Sequence, residues 1–566
     1  MMKFRQSLIL VLIPLLCLPS SWAEASEKAW KAMAVTADPA ATQAAVEILK
    51  KGGNAVDAAI AAQWVLNVVE PQSSGIGGGG FFIYYDAASR KVFAFDGRET
   101  APASARPEMF LGKDGKPVRF WPERISGGLP AGVPGLLKLL KTVHARFSSN
   151  KVSFASLFEP AIEIAEKGFP ISERLGGALQ KEESRLKLFK ATRKVFFDKA
   201  GRRTLRAGEI LVQEDLGRTF RLLAGEGIGP FYEGAIAKDI VKAVRKASVN
   251  PAKMTIKDLA SYEVVEREPV RGTYRGYEVW GMPPPSSGGP TVQMVLNILE
   301  NFSWDSLSSE HRMSVFAQAQ RLAFIERNKA LADPAAMTVD LEDFLSKDKA
   351  KKLAAVIDPV DASQALGPKD PPAQEGTHTS HLSIADADGN LVAFTTTIEH
   401  LFGCGMIVPG RGFFLNNELT DFDAQIYGEA DGQVLPNAPG PRKRPRSSMS
   451  PTLVFKNSEP YLITGSPGGS KIIGAVLNVL VNVLDEKLPL QEAVDRPRVL
   501  NREGAVELEG FSLDENPGEQ KRWESLGFEV VRHEAFGNTQ SILFHEDGFL
   551  EGASDPRGIG APGGVE

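Results

Sequence analysis

Along the chain's pattern of apolar and polar positions, Thr379 to Ala385 is a run rich in β-branched and small residues, Asp386-Ala387-Asp388-Gly389-Asn390 is dense in turn formers, and Leu391 to Ile398 is again strand-like. Two strand-like runs on either side of a tight turn predict an antiparallel hairpin. If it folds about Asp388, partner numbers sum to 776 and Thr397 faces Thr379; a two-residue Asp-Gly turn shifts that pairing by one. Helical periodicity marks Ala41 to Lys51 and Asn54 to Glu70, separated by Gly52-Gly53 and closed by Pro71. Gly75-Ile76-Gly77-Gly78-Gly79-Gly80 precedes the strand pattern Phe81 to Tyr85, whereas a dinucleotide fingerprint has its glycines after a strand and opening a helix. Helical patterns dominate from Pro134 to Arg327, broken by Met282 to Gly289 before an apolar helix from Val292 to Leu299. Strands are expected at Gly412 to Leu415, Thr452 to Lys456 and Tyr461 to Thr464, then a helix from Lys471 to Leu484. The order of elements suggests layered, mixed α and β, without a βαβ rhythm or a fixed-period repeat.

With 43% hydrophobic and 24% charged residues among 566, the chain has the balance of a globular protein, and its net charge of −5 argues against nucleic acid or anionic membrane as partner. Residues 1–25 carry Lys3 and Arg5, the apolar run Leu8 to Leu18, and small residues around Ala23 and Ala25. That is the layout of a secretory signal peptide, and its apolar run is short for a membrane span. A periplasmic or secreted protein is expected, with no membrane span once the signal is removed. Cys404 is then the only cysteine, so no disulfide can form within the chain.

The segment Asp358 to Gly376, rich in prolines and charges, predicts an exposed connector ending just before Thr379. An exposed segment there suits a chain that is cut between His378 and Thr379. A threonine hydroxyl is a weak nucleophile, but a free α-amine on the same residue can take its proton, with an ordinary pKa of about 8. β-Branched residues are common in strands, so on the hairpin alone an ordinary strand threonine is the favoured reading. Competing chemistries lack their signatures: there is no His-Glu-x-x-His run for a metal and no Gly-x-Ser-x-Gly elbow. Gly465 to Lys471 fails as a phosphate loop, because Ser470 precedes the lysine and Ile472 follows it. No metal or other cofactor is expected.

Several motifs occur together in this order: Gly52 to Ala59, Gly77 to Phe81, Arg98-Glu99-Thr100-Ala101-Pro102, Pro283 to Gly289, Thr379 to Ser383, Leu415-Asn416-Asn417-Glu418, Asp421-Phe422, Ser447 to Thr452, Gly465 to Ser470 and Ala553 to Arg557. On these the chain resembles the γ-glutamyltransferase (glutathione hydrolase) family of N-terminal-nucleophile hydrolases, over almost all of its length after the signal. The resemblance implies an α+β fold, a four-layer αββα sandwich built jointly by a large subunit, 26–378, and a small subunit, 379–566, released by autocleavage. It implies attack of Thr379, beside Thr397, on the γ-amide of glutathione and related compounds, and resolution of the ester by water or by an amino acid or peptide. Gly468 and Gly469 at a helix entrance suit an oxyanion site. Arg98, Ser447 and Ser448 suit a substrate carboxylate, and Asp421, Glu418 and Glu399 suit its α-ammonium.

Glu399 departs from the family, where asparagine is common. A carboxylate there either strengthens ammonium binding or repels Glu418 and Asp421 and raises a pKa among them. Asp423 to Gly440 corresponds to a lid region, with Tyr427 as its candidate gate. Three alternatives are a glutaryl or cephalosporin acylase of the same family, a relative acting on polymeric γ-glutamate, and an exported γ-glutamyl-peptide binding protein without turnover.

Overall fold

The structure, a computed structural model, describes residues 26–363, 378–428, 432–502 and 504–566. The expected signal at 1–25 and most of the expected connector lie outside these residues. Two seven-stranded sheets form the centre. The first runs in the order Ala561–Val565, Ala32–Thr36, Thr379–Ala385, Leu391–Thr397, Gly79–Asp86, Lys91–Gly97 and Val265–Arg267. The second runs Ser26–Ala29, Leu550–Ser554, Gln540–Phe544, Glu459–Thr464, Thr452–Lys456, Tyr277–Gly281 and Val270–Tyr274. Each sheet contains strands from both sides of the His378–Thr379 bond, so the two parts of the chain share one core.

Strand alternation divides that core. Phe82, Tyr84, Leu382, Ile384, Val392 and Phe394 face one way and pack on the helices Pro39–Lys50 and Ala55–Val69. Phe81, Ile83, Tyr85, Ala385, Leu391 and Ala393 face the other and join the second sheet and its helices Gly288–Leu299, Ser309–Ala330 and Lys471–Leu484. Helix, sheet, sheet and helix therefore stack as four layers, the central strands Thr379–Ala385 and Leu391–Thr397 burying both faces. This is the αββα sandwich expected from the sequence.

The local chemistry explains the boundaries. After Gly52-Gly53 the second helix restarts on a capping box, with Asn54 Oδ1 accepting from Val56 N and Asp57 N while Asp57 accepts from Asn54 N. Its residues are buried all round, Asp57, Gln63 and Asn67 included, and Trp64 stacks on Phe158 with ring centroids 4.5 Å apart. The glycines before Phe81 allow backbones to touch: a methyl on Gly78 would overlap the carbonyl oxygen of Thr397.

Three expectations change. The region from Pro134 to Arg327 is helical in large part but also contributes Val265–Arg267, Val270–Tyr274 and Tyr277–Gly281 to the sheets. The helix expected from Val292 begins at Gly288. Gly412 to Leu415 is not a strand: Gly410 and Gly412 take positive φ of 75° and 81°, and Phe414 and Leu415 make only isolated bridges, to Ile407 and Gly77.

Candidate active site

The hairpin pairs in the register expected for a turn about Asp388, with Thr379 opposite Thr397 and Ala385 opposite Leu391. Its turn is tied by Asp386 Oδ1, which accepts from Asp388 N and Asn390 N, both at 2.9 Å. Thr379 opens its strand, is 4% exposed, and its hydroxyl has no hydrogen-bond partner among the described residues. The chain is continuous from His378 into Thr379. Thr397 Oγ1 accepts from Glu399 N at 2.7 Å and donates to the carbonyl oxygen of His378 at 3.3 Å. One hydroxyl thus polarises the carbonyl that Thr379 would have to attack.

Neighbouring side chains are locked. Ser380 Oγ donates to Glu70 Oε2 at 2.7 Å, and Glu70 Oε1 lies 3.5 Å from Arg174 Nε. The His381 ring bridges Thr395 Oγ1 at 2.8 Å and Ser383 Oγ at 3.2 Å, and burial pushes it down to about 3. The rings of His378 and His400 lie 6.1 Å apart. Burial lowers both, His400 to about 4, so neither imidazole is charged at neutral pH.

Arg98, 1% exposed, is the centre of the candidate acyl pocket. It donates through Nη1 to Glu418 Oε1 and through Nη2 to Asp421 Oδ2 at 2.6 Å. Nε reaches Pro445 O at 3.2 Å and Nη2 reaches Arg446 O at 2.9 Å, the two carbonyls just before Ser447. The structure therefore couples Arg98 first to the two acids that the sequence reading kept for the ammonium. Ser447 Oγ accepts from Met449 N at 3.2 Å, and Ser448 Oγ accepts from Arg327 Nη2 at 2.6 Å. Arg327 also donates to Ser287 Oγ at 2.8 Å, whose hydroxyl donates to Ser447 O at 2.6 Å. Arg327 escaped the sequence reading: it stands 121 residues before Ser448, and nothing local marks it.

Glu399, 3% exposed and at a φ of 78°, follows Thr397 by two positions. Asn417 Nδ2 donates to its Oε2. Burial, then the charges of Asp421 and Glu418, hold its carboxyl well above the usual range. Glu418 is pushed up to about 8, first by burial, with Asp421 adding to the shift and Arg98 opposing it. Glu99, also missed as an individual residue, is fully buried and raised well above the usual range by burial and then by Glu418. Its oxygens have no hydrogen-bond partner among the described residues, which suits a carboxyl kept neutral by burial and by Glu418. A protonated Glu399 likewise presents a neutral C=O and O–H, much as an asparagine side chain presents a C=O and an N–H. Repulsion within the acid cluster, the second of the two readings, is thus the one that the geometry favours.

Gly468 and Gly469 have positive φ of 135° and 59° and lead into the Lys471–Leu484 helix. Tyr427 is half exposed and bridges to Val434, and this loop returns to the pocket where Asn437 Nδ2 donates to Asp421 O at 2.8 Å. The expected gate is thus joined at its base to a pocket acid.

Residues 41–565 match the family model described as gamma-glutamyltranspeptidase. The glutathione hydrolase proenzyme of Escherichia coli (strain K12) is 39% identical over 94% of this chain and 91% of its own. The acylase ACY 1 proenzyme of a Pseudomonas species (strain SE83) is 34% identical over 94% of this chain and 93% of its own. Among solved structures, a cephalosporin acylase from Bacillus halodurans is similar at a TM-score of 0.82 with 28% identity, covering 98% of this chain and 100% of that one. On the match of fold, motifs and nearly the full length, the chain belongs to the gamma-glutamyltranspeptidase family.

Proposed function

We propose that this protein is an autoprocessed γ-glutamyltransferase and glutathione hydrolase. Maturation begins when Thr379 Oγ1 attacks the carbonyl carbon of His378, with Thr397 supplying a hydrogen bond to the developing oxyanion. The peptide nitrogen leaves as the amine of Thr379, and water hydrolyses the resulting ester. The products are 26–378 and 379–566, held together by their shared sheets.

In the processed enzyme the α-amine of Thr379 takes the proton from its own hydroxyl as Oγ1 attacks the γ-carbonyl of the substrate. Gly468 and Gly469 N–H groups stabilise the oxyanion, and the amine leaves with a proton. Water then gives glutamate, or an amino acid or peptide amine gives a new γ-glutamyl amide. Arg98, with Ser447 and Ser448, receives the α-carboxylate, while Asp421 and Glu418 receive the α-ammonium. Substrate thereby enters an existing Arg98–carboxylate network and exchanges partners with it. Tyr427 and its loop cover the glutamyl pocket.

The observation that carries this reading is Thr379 at the head of a buried strand, with Thr397 opposite it and bonded to the carbonyl of His378. Retained Asp421 and Glu418 favour a γ-glutamyl over a glutaryl group, since a glutaryl group has no ammonium to neutralise them. Among the described residues no helix is long and apolar enough to cross a membrane. Removal of residues 1–25 gives a periplasmic or secreted enzyme. The test is to incubate purified protein with γ-glutamyl and glutaryl anilides, with and without a dipeptide, while following chain cleavage by mass spectrometry. Preferred release from the γ-glutamyl anilide, accelerated by the dipeptide, is expected. Preferred release from the glutaryl anilide, or turnover by an uncut chain, would overturn the proposal.

A further inference from the structure

A cavity of about 280 Å³ opens between the helix Ala235–Arg245, the start of the helix Lys190–Phe196 and the segment after Cys404. None of the residues proposed above for acyl transfer lines it. Ile236, Ala237, Ile240 and Val244 turn one face of the first helix into the core. Asp239, Lys242, Ala243 and, just past its end, Lys246 share another face and form one wall. Phe189, Met406 and Ile407, all buried, supply an apolar floor. The parts are tied together: Ser248 Oγ donates to Leu188 O at 3.4 Å, and Thr192 Oγ1 donates to Gly405 O at 2.8 Å and accepts from Ile407 N at 3.2 Å. The cavity is thus preformed.

Three exposed lysines line it, Lys190 from one wall and Lys242 and Lys246 from the other. Among the described residues no carboxylate forms an ion pair with any of their ammonium groups. The single acid in the lining, Asp239, is taken by Arg411 Nε at 2.9 Å. Cations near the last turn of a helix complement its dipole, which by itself accounts for Lys242 and Lys246. It accounts neither for Lys190 on the facing wall nor for the apolar floor that the three share. An uncharged apolar guest leaves the cations without a partner, and a bare inorganic anion leaves the floor wet. Only a molecule with an anionic head and an apolar tail satisfies both.

We infer that this cavity binds a free alkyl carboxylate, its tail on Phe189, Met406 and Ile407 and its carboxylate between Lys190, Lys242 and Lys246. The lysine stems extend the apolar wall while their ammonium groups reach the carboxylate. At about 280 Å³ the space lies just below the usual ligand range of roughly 300–1,000 Å³, which limits the tail to a short unbranched chain and leaves no room for a diacyl lipid. The site stands apart from the acyl-transfer reading, because no residue of that reading takes part in it.

The test is calorimetric titration of the purified protein with octanoate, hexanoate and octanol. Octanoate should bind at one saturable site, and hexanoate, two methylenes shorter, roughly tenfold more weakly. Octanol should also bind roughly tenfold more weakly at low salt, and the difference should shrink as ionic strength rises. Lys242→Glu combined with Lys246→Glu should weaken octanoate by about tenfold or more and leave octanol nearly unchanged. Ala243→Trp, which fills the cavity from its helical wall, should abolish binding of both. Both variants should keep the wild-type melting temperature, since the lysines are exposed and the tryptophan enters existing space. No saturable octanoate binding by wild type, octanol bound as tightly as octanoate, or an unchanged octanoate affinity in the lysine variant would overturn the proposal. Capture by phosphatidylglycerol vesicles that is lost in the lysine variant, without octanoate binding, would make this face a membrane contact and overturn it too.

Discussion

The hydroxyl of Thr397 lies 3.3 Å from the carbonyl oxygen of His378 and is aimed at it, because its acceptor capacity is taken by Glu399 N at 2.7 Å. Removing that donor leaves the attacked carbonyl without polarisation while the hairpin keeps its register. Thr397→Val should slow chain cleavage on the order of 100-fold, the scale of a lost oxyanion donor, and Thr397→Ser should retain most of the rate. Thr379→Ala should not be cut at all. A time course on a denaturing gel measures all three; rapid cleavage of Thr397→Val would remove Thr397 from the reaction.

The partners of Arg98 make its replacement a test of two things at once. Truncation to alanine leaves Glu418 and Asp421 buried without their cation, a cost of about 3–5 kcal/mol that threatens folding. Arg98→Lys keeps the charge but loses the planar fork, so it separates recognition from stability. The lysine variant should fold and process, and should raise KM for a γ-glutamyl anilide by roughly tenfold or more, with a smaller change in kcat. An unchanged KM would mean that Arg98 serves the acids and not the substrate.

What the sequence made legible was local. The hairpin register followed from the position of one turn between two strand-like runs, and the Lys471–Leu484 helix appeared with the limits its apolar run predicts, because both are set by neighbours in the chain. Gly412 to Leu415 read as a strand from its aromatic and aliphatic residues, but positive φ at Gly410 and Gly412 breaks the extended run. The site was legible as a set of residues and not as a set of contacts. Arg98 reaches Glu418 across 320 positions, and Arg327 reaches Ser448 across 121, through packing that no local pattern encodes. Glu399 was recognised as a departure from the family, but its protonation follows from burial beside Asp421 and Glu418, which only the fold creates.

Protonation of Glu399 has a sign that can be measured. Its folded pKa lies above the unfolded one, so the folded state binds the extra proton. The associated stability is complete below the unfolded value and is lost as pH rises through the folded one. Glu399→Gln presents a neutral group at every pH. Its melting temperature should match wild type near pH 4 and exceed it increasingly toward alkaline pH, each unit of pKa elevation being worth about 1.4 kcal/mol. Glu418, pushed up to about 8, adds the same sign, and because its charge helps to raise Glu399 the difference between the two proteins reports Glu399 together with its coupling to Glu418. Parallel melting curves for the two proteins from pH 4 to 9 would show that Glu399 is ionised throughout.

His381 couples the nucleophile strand to the oxyanion loop. Its ring lies between the sheets, bonded to Thr395 and Ser383, and packs on Gly465, three residues before Gly468. A methyl on Gly465 would overlap that ring, and the loop cannot move freely because Gln540 N donates to Gly465 O at 3.1 Å. Gly465→Ala should therefore destabilise the protein by about 1–3 kcal/mol, the usual cost of overpacking, and should lower kcat more than it raises KM, since the displaced element carries the proposed oxyanion donors and not the proposed acyl pocket. Combining it with His381→Ala removes the overlap but takes the ring's hydrogen bonds from Thr395 and Ser383, of which Ser383 keeps its bond to Gln540 O at 2.8 Å. The double variant should recover part of the lost kcat while remaining less stable than wild type. Urea unfolding and anilide kinetics on the single and double variants separate the two effects, and a Gly465→Ala enzyme with normal kcat would show that the His381 contact does not position the loop.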